Sequence, residues 1–346
     1  MSLAGFIGLR AAGGGLAALA CLGCADYFDG NDWEGYEQTA LVLGKMRLER
    51  APEGMPVSNL ALADNFRRIA FGLEAGVLAG RAAEGGASDG AGQQRRTPQD
   101  ARPAATGGGG AAAAGRPATT IAPSDGEGRL RRWRRPVRWQ ITSLSKSAQG
   151  YVRAVDETAR RIATATGHDI ARVGPGEPAN LAVLFLRPQD YAPAARALSG
   201  QPAGPWLAQQ VDRFGRAGHT PCVGLFLHAR RSAAMPGGQR VETDEILFGL
   251  ALIRDGLPPR LARACVEEEL AQAMGLPNDD PNVRPSVFND DQEFALLTDH
   301  DEALLRILYD PRLAPGMTED EAMAIVPRII DDLDTDAING RRRQRN

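Results

Sequence analysis

Residues 265–280 read CVEEELAQAMGLPNDD, and this stretch has the most informative spacing in the chain. A helix is predicted over about 258–274, because the prolines at 258 and 259 suit a first helical turn. Residues four apart in a helix lie on one face, so Glu268 and Gln272 share a face. At about 100° per residue, that face lies roughly opposite the apolar face, which is formed by Val266, Leu270 and Ala273. The spacing therefore predicts a helix with one polar and one apolar side.

The same stretch resembles the HExxHxxGxxH motif of the metzincin clan of zinc peptidases, in which a Ser-Val-Met-like turn follows the motif. When Gly275 is placed on the motif glycine, the catalytic glutamate falls on Glu269, and Ser286-Val287-Phe288 replaces the methionine turn. The three zinc-ligand positions fall on Glu268, Gln272 and Asn278. The resemblance implies a zincin-like α/β fold, with a mixed sheet, packed helices and an active-site-type helix at about 258–274.

The chemistry of these positions argues against a zinc site. Zinc in proteins takes Cys thiolate, His nitrogen or carboxylate ligands, whereas the motif positions offer one carboxylate and two neutral amides. The four histidines of the chain, at 168, 219, 228 and 300, all lie outside the motif. We therefore expect no metal and no cofactor, and a non-catalytic binding module rather than an enzyme. The alternative is a hydrolase with Glu269 as general base, acting with an atypical metal site that includes Glu268 and Asp279, or without metal.

Six residues are the candidates for the binding cleft: Glu268, Glu269, Gln272, Asn278, Asp279 and Phe288. Each has a structural alternative. The glutamates at 267–269 also fit a solvated helix face, partly paired with Arg263 and Arg260. Asn278 and Asp279 also fit a turn that ends the helix, and a buried Gln272 more often bonds to the backbone than to a ligand. His300 more often caps or packs than catalyses.

A second resemblance covers most of the chain. Residues 60–326 resemble a bacterial family, domain of unknown function 2927, whose members are often described as lipoproteins. Four stretches carry the likeness: NFRRIAFGLE (65–74), LRRWRRPVR (130–138), EELAQAMGLPNDDPNVRPSVFNDDQEFALLT (268–298) and HDEALLRILYDPRLAPGM (300–317). This resemblance implies a fold but no activity.

Apolar patterning predicts an alternation of strands and helices around the motif. Strands are expected at 137–142, 180–186, 222–228 and 245–253, and helices at 60–73, 151–166 and from 318 onward, where Thr318 and Glu321 form a capping box. This order favours one sheet covered by helices. Residues 81–128 are almost all small or polar, which predicts a disordered insertion.

The first 25 residues predict export. A short apolar stretch follows Arg10 and is too short to span a bilayer, where about 20 residues are needed, but it fits a signal peptide. Cys21 and Cys24 are candidates for lipidation at a degenerate lipobox; plain secretion is the alternative. We expect a periplasmic protein or a membrane-anchored lipoprotein of a Gram-negative bacterium. Its partner would be an envelope protein, a peptide or a cell-wall component.

The remaining cysteines, Cys222 and Cys265, are expected to form a disulfide, because an oxidising compartment favours pairing; two buried thiols are the alternative. The predicted organisation is a signal peptide at 1–25, a tether and helix at 26–80, the insertion at 81–128, a zincin-like domain at 129–335 and a flexible basic tail at 336–346. The formal net charge of -3 gives no general attraction to nucleic acid, so the arginines at 129–138 are expected to pack at a strand entrance.

Overall fold

The computed structural model describes residues 32–72, 119–123, 128–143, 150–200, 204–234, 240–289 and 291–333. The predicted signal peptide with Cys21 and Cys24, most of the predicted insertion, and the basic tail lie outside the described residues. Within the described part of the chain, no helix is long and apolar enough to cross a membrane.

A mixed sheet of six strands forms the centre of the fold. The strands are β1 (Thr119–Pro123), β2 (Val137–Ser143), β3 (Ile170–Arg172), β4 (Leu181–Leu186), β5 (Cys222–Ala234) and β6 (Arg240–Arg254). Their order across the sheet is β1-β5-β6-β4-β2-β3. Strands β3, β2, β4 and β6 run parallel, whereas β5 pairs antiparallel with β6, and β1 pairs antiparallel with β5. The mixed α/β sheet expected from the sequence is confirmed.

Helices cover both faces of this sheet. They are α1 (Trp33–Val42), α2 (Asn59–Phe71), α3 (Val152–Thr166), α4 (Tyr191–Ser199), α5 (Gly204–Arg216), α6 (Pro259–Ala273), α7 (Asp299–Tyr309) and α8 (Glu319–Met323), followed by α9 at 326–333. In β4, Val183 and Phe185 belong to a core with α3, α6 and α7, whereas Leu184 and Leu186 belong to a second core with α4 and α5. Because successive side chains of a strand point to opposite faces, β4 separates two helical layers.

Helix ends follow local chemistry. Helix α6 begins with Pro259 at its first position, where the missing N–H costs nothing. Thr298 with Asp301, and Thr318 with Glu321, form reciprocal capping boxes at α7 and α8. The predicted last helix is interrupted by a turn at 324–325 and continues as α9.

From residue 32 onward, the N-terminal segment is part of the folded domain and not a loose tether. Glu37 of α1 is buried, and its Oε2 accepts a hydrogen bond of 2.7 Å from the backbone N–H of Leu261 in the first turn of α6. Since Pro258 supplies no side-chain cap, this carboxylate satisfies an otherwise open donor of the helix. Backbone hydrogen bonds from Met46 and Arg47 to residues 292 and 293 fix the following loop.

Three predicted boundaries need correction. Residues 119–123, assigned from the sequence to the disordered insertion, form β1 and pair with residues 227–231 of β5. Backbone hydrogen bonds stabilise a strand independently of side-chain burial, so composition alone misplaced this end of the insertion. Strands β5 and β6 are also longer than predicted, because their outer halves continue to pair with each other from 228 to 234 and from 240 to 246.

The predicted disulfide is confirmed. Cys222 at the start of β5 bonds to Cys265 of α6, with their Cα atoms 5.8 Å apart. The bond joins the motif helix to the sheet.

Candidate functional site

The motif helix α6 is surrounded by protein on all sides. Five of the six candidate residues are buried: Glu268 is 8% exposed, Glu269 4%, Gln272 3%, Asn278 7% and Phe288 0%. Asp279 is partly exposed. Other parts of the chain therefore cover both the apolar and the polar side of α6 over these positions.

Glu267 is the most strongly held carboxylate of α6. Its side chain is fully buried and accepts hydrogen bonds from Arg50 at 2.9 and 3.3 Å, and from Arg263 at 2.6 and 3.0 Å. The backbone N–H of Leu297 donates a further bond of 3.1 Å. The structural alternative considered for the glutamates at 267–269 is confirmed for Glu267 in its pairing with Arg263. It is not confirmed in the solvation of Glu267, which is buried, and Arg260 donates instead to the carbonyl of Met46. This carboxylate ties α6 to the N-terminal loop and to the start of α7.

The two amide side chains at the ligand positions bond inside the protein. Gln272 Nε2 donates to both carboxylate oxygens of Asp279, at 3.1 and 3.2 Å. Asn278 Nδ2 donates to the backbone carbonyl of Arg68 at 2.9 Å, next to the end of α2. Gln272 therefore bonds to a side chain rather than to the backbone, and Asn278 holds α2 against the segment after α6.

Glu269 and Gln272 face the central sheet. Gly224 of β5 lies so close that a Cβ added there would sit 2.7 Å from Glu269 Oε2 and 3.0 Å from Gln272 Oε1. A methyl group already exceeds the space available between α6 and β5 at this point. No room is left there for a bound substrate.

Glu268 acts electrostatically on the N-terminal helix. Burial, followed by the negative charges of Glu268 and Asp291, raises the pKa of Tyr36 to about 12. Because each effect disfavours the tyrosinate, Glu268 lies close to the α1 side of the domain.

The backbone around the motif has the shape that its residues require. Gly275 has φ 113°, and a Cβ there would lie 2.2 Å from the carbonyl oxygen of Arg131; only glycine fits both conditions. In the turn that follows, Ser286 Oγ donates to Asp301 Oδ1 at 2.5 Å, and the N–H of Val287 donates to Oδ2. Phe288 is fully buried, and its carbonyl accepts from Asp280 N.

The metzincin resemblance implies a zinc ion at the motif, but the motif residues do not fit one. The amides of Gln272 and Asn278 are held by Asp279 and by a main-chain carbonyl, and neutral amides are poor zinc ligands. Among the described residues, no three His, Cys, Asp or Glu side chains are grouped so that they could hold a metal ion.

Comparison with known families gives one match. Residues 118–328, more than half of the chain, match the family model described as Protein of unknown function (DUF2927). The chain belongs to this family. No curated protein and no solved structure matches the chain. The part of the chain matched to DUF2927 contains α6, the turn at 286–288 and α7, whereas Arg50 and Glu37 come from outside the matched range.

The four histidines of this DUF2927 protein lie in different surroundings. His228 on β5 is fully buried, with Nδ1 3.3 Å from Asp244 Oδ1. The Nε2 atom of His168 lies 2.8 Å from the carbonyl of Arg135, and burial lowers the pKa of this imidazole. His219 is exposed. The fourth, His300, has a different setting.

His300 lines a cavity of about 640 Å³, a volume typical of ligand-binding pockets, between the loop at 50–57, α7 and α9. None of the six candidate residues lines this cavity or a smaller one beside Arg260. Sequence reasoning missed both Glu267 as a structural centre and this cavity. The pairing of Glu267 had a signal in the sequence, namely Arg263 four residues before it. The cavity had no such signal, since its walls come from distant parts of the chain.

Proposed function

We propose that this protein is an exported envelope protein whose domain is a metzincin-like fold that has lost its chemistry and acts as a non-catalytic binding module. One observation carries the proposal: the polar side chains at the motif positions are used for contacts inside the domain. At two of the three ligand positions, Gln272 bonds to Asp279 and Asn278 bonds to the carbonyl of Arg68. Glu269, at the position of the catalytic glutamate, packs closely against Gly224 of β5.

The competing function, hydrolysis with Glu269 as general base, is less well supported. A general base must come within hydrogen-bonding reach of the proton it removes. Glu269 is 4% exposed and packs against the backbone of β5. A substrate could reach it only if α6 and β5 moved apart, and the disulfide between Cys222 and Cys265 opposes that movement.

Three features favour metzincin ancestry for the fold. A helix follows an antiparallel strand pair, it ends in a glycine with positive φ, and a tight Ser-Val-Phe turn comes shortly afterwards. These are the parts on which the sequence resemblance rests. Their geometry is consistent with that resemblance, and a solved structure of a family member that aligns with a zinc peptidase is the test.

The disulfide supports export, since structural disulfides are rare in reducing compartments. We propose a periplasmic location, either free or anchored by a lipid on Cys21 or Cys24, with an envelope protein, a peptide or a cell-wall component as partner. Labelling with a radioactive fatty acid, followed by fractionation, tests the anchor. Cys21→Ser and Cys24→Ser, made separately, identify the cysteine that is modified, and the absence of label from the unsubstituted protein excludes the anchor.

Metal content and hydrolysis test the absence of catalysis. The purified protein is incubated with an excess of zinc, desalted and analysed by mass spectrometry for metals, and it is also assayed on a fluorogenic protein substrate. We expect well below one zinc ion per chain and no hydrolysis above the buffer control. Stoichiometric zinc, or hydrolysis that Glu269→Gln removes and Glu49→Gln does not, would establish the hydrolase instead.

A further inference from the structure

The walls of the cavity beside α7 are mostly apolar. Ten of the sixteen residues that line it have apolar side chains, and the largest of these come from the loop, α2 and α9: Met55, Val57, Leu62, Ile330 and Leu333. The volume of about 640 Å³ is within the range of small-molecule sites. Apolar surface of this kind gains free energy when an apolar ligand removes it from water.

The polar residues of these walls bond to residues that do not line the cavity. Arg50 donates to the buried carboxylate of Glu267 at 2.9 Å. Asn65 Nδ2 lies 3.0 Å from His300 Nε2. The other ring nitrogen, Nδ1, is buried and lies 3.5 Å from Asp301 Oδ1. Neither the guanidinium group of Arg50 nor the imidazole of His300 is therefore open to a ligand.

The charges of the walls balance one another. Two of the lining residues are arginines and two are acidic, so their formal charges sum to zero. Arg306 lies 3.5 Å from Glu302, which does not line the cavity. Asp299 lies 3.7 Å from Arg161, which is also outside it. The remaining acid, Glu53, is exposed to water, which screens its charge.

This balance selects against charged ligands. An ion that entered the cavity would lose part of its hydration, and the opposite charges inside the walls are already paired, so the loss would not be compensated. The cavity therefore favours an uncharged ligand.

The shape and the main chain of the walls favour a hydrocarbon chain. Lining residues occur from position 299 to position 306 of α7, a distance of about 10 Å along the helix. Helices α2, α7 and α9 use most of their main-chain groups for their own hydrogen bonds, and Pro52 and Pro56 of the loop have no N–H. A bound peptide needs partners for its main-chain groups, whereas a hydrocarbon chain needs none.

We propose that this cavity binds the hydrocarbon chain of an uncharged single-chain amphiphile, such as a fatty alcohol or a monoacylglycerol. The chain lies along α7 beside Ala303 and packs against Leu62, Ile330 and Leu333, while the head group remains in water near Glu53. This inference goes beyond the proposed function, because it assigns a ligand class to a site that the motif does not include.

The test is calorimetric titration of the purified full-length protein with 1-octanol, 1-nonanol and 1-decanol. We expect the affinity to rise about fourfold with each added carbon, because burial of one CH₂ group contributes about 0.8 kcal/mol. Decanoate and decyltrimethylammonium carry opposite charges on chains as long as that of 1-decanol. Both ions should bind more weakly than 1-decanol, and by similar factors, since the charges of the walls sum to zero.

Two variants locate the binding. Ala303→Phe should lower the affinity for 1-decanol at least about tenfold, because the aromatic ring fills space that the chain needs. Leu60→Phe is the matched control: Leu60 is on α2, but its side chain is 82% exposed and does not line the cavity, so binding should be unchanged. Circular dichroism verifies that each variant is folded; if Ala303→Phe is not, Ala303→Leu replaces it.

Several results would overturn the proposal. They are no binding of 1-decanol up to its solubility limit, an affinity that does not depend on chain length, tighter binding of either ion, and unchanged binding by Ala303→Phe. Binding that requires deletion of residues 334–346 would assign the cavity to that segment, and self-association that Ala303→Phe abolishes would assign it to a second copy of the chain. Failure here leaves the proposed function to the zinc and hydrolysis assays, whereas stoichiometric zinc or hydrolysis refutes that function and leaves this site standing.

Discussion

The polar side of α6 and the polar face of α7 differ in how completely their side chains are used. On α6, Glu267 receives two arginines and a main-chain N–H, and Gln272 and Asn278 also bond within the domain. On α7, Asp301 is similarly saturated, but the neighbouring positions 299, 300, 303 and 306 line an open cavity.

The difference teaches that resemblance to a catalytic motif and availability for binding are separate properties. The motif helix has the informative spacing, yet its polar atoms stabilise the domain. The α7 face has no recognisable motif, yet it borders empty space. A buried polar group that is hydrogen-bonded within the domain contributes to its stability. Only a polar group that is not bonded in this way is available to bond to a ligand.

The largest change in stability is expected from substitution of Glu267, on the packed side of the comparison. We expect Glu267→Ala to lower the free energy of unfolding by about 3–5 kcal/mol, because two guanidinium groups and the N–H of Leu297 lose their acceptor. Urea denaturation measures the loss. Glu49→Ala is the control: its carboxylate is 60% exposed beside Arg47, and such pairs contribute about 0–1 kcal/mol. Equal effects of the two substitutions would mean that α6 is not the structural centre described above.

Removing the disulfide should have an effect of similar or slightly smaller size. Its two cysteines are 43 residues apart, and replacing both Cys222 and Cys265 by Ser should cost about 4 kcal/mol through the unfolded state. The unsubstituted protein in reducing buffer should match the double variant in urea. A protein whose stability does not respond to reductant would show that α6 is held against β5 without the bond.

A pair of small-to-large substitutions compares the two regions directly. Gly224→Ala places a methyl group within 3.0 Å of Glu269 and Gln272, and we expect a loss of about 1–3 kcal/mol from overpacking. Ala303→Leu projects into the cavity and should cost less than about 1 kcal/mol, since α7 tolerates leucine well. Thermal or urea unfolding measures the loss of stability in both variants. A greater loss for Ala303→Leu than for Gly224→Ala would mean that the α7 region is packed more tightly than the space between α6 and β5.

The smallest expected change in stability comes from the ionisation of Tyr36 at high pH. Its pKa of about 12 exceeds the usual value of about 10, so the folded state keeps its proton while the unfolded state ionises. The contribution of this group to stability is thus lost as the pH rises from about 10 to 12. Absorbance of tyrosinate against pH, with Tyr36→Phe as the blank, measures the pKa. Glu268→Gln should lower the pKa of Tyr36, and Glu319→Gln should leave it unchanged. An unchanged pKa in Glu268→Gln would mean that Glu268 does not lie close to Tyr36.

Local patterns gave reliable predictions. The apolar runs at 137–142 and 180–186 are strands, the double proline begins α6, and Thr318 caps α8. The disulfide also followed from composition, since two cysteines remain once the leader pair is set aside. The burial of the polar side of α6 could not be predicted in this way, because the covering groups come from residues far away in the chain.

What the sequence determined by itself is therefore the main strands and helices of the domain and their order along the chain, since hydrophobic periodicity, caps and prolines act over a few residues. The tertiary structure alone decided the use of the polar residues. Arg50 meets Glu267 across 217 positions of sequence, and the cavity takes its walls from the loop at 50–57, α7 and α9. Burial and pairing depend on such distant neighbours, and no local pattern in the chain specifies them.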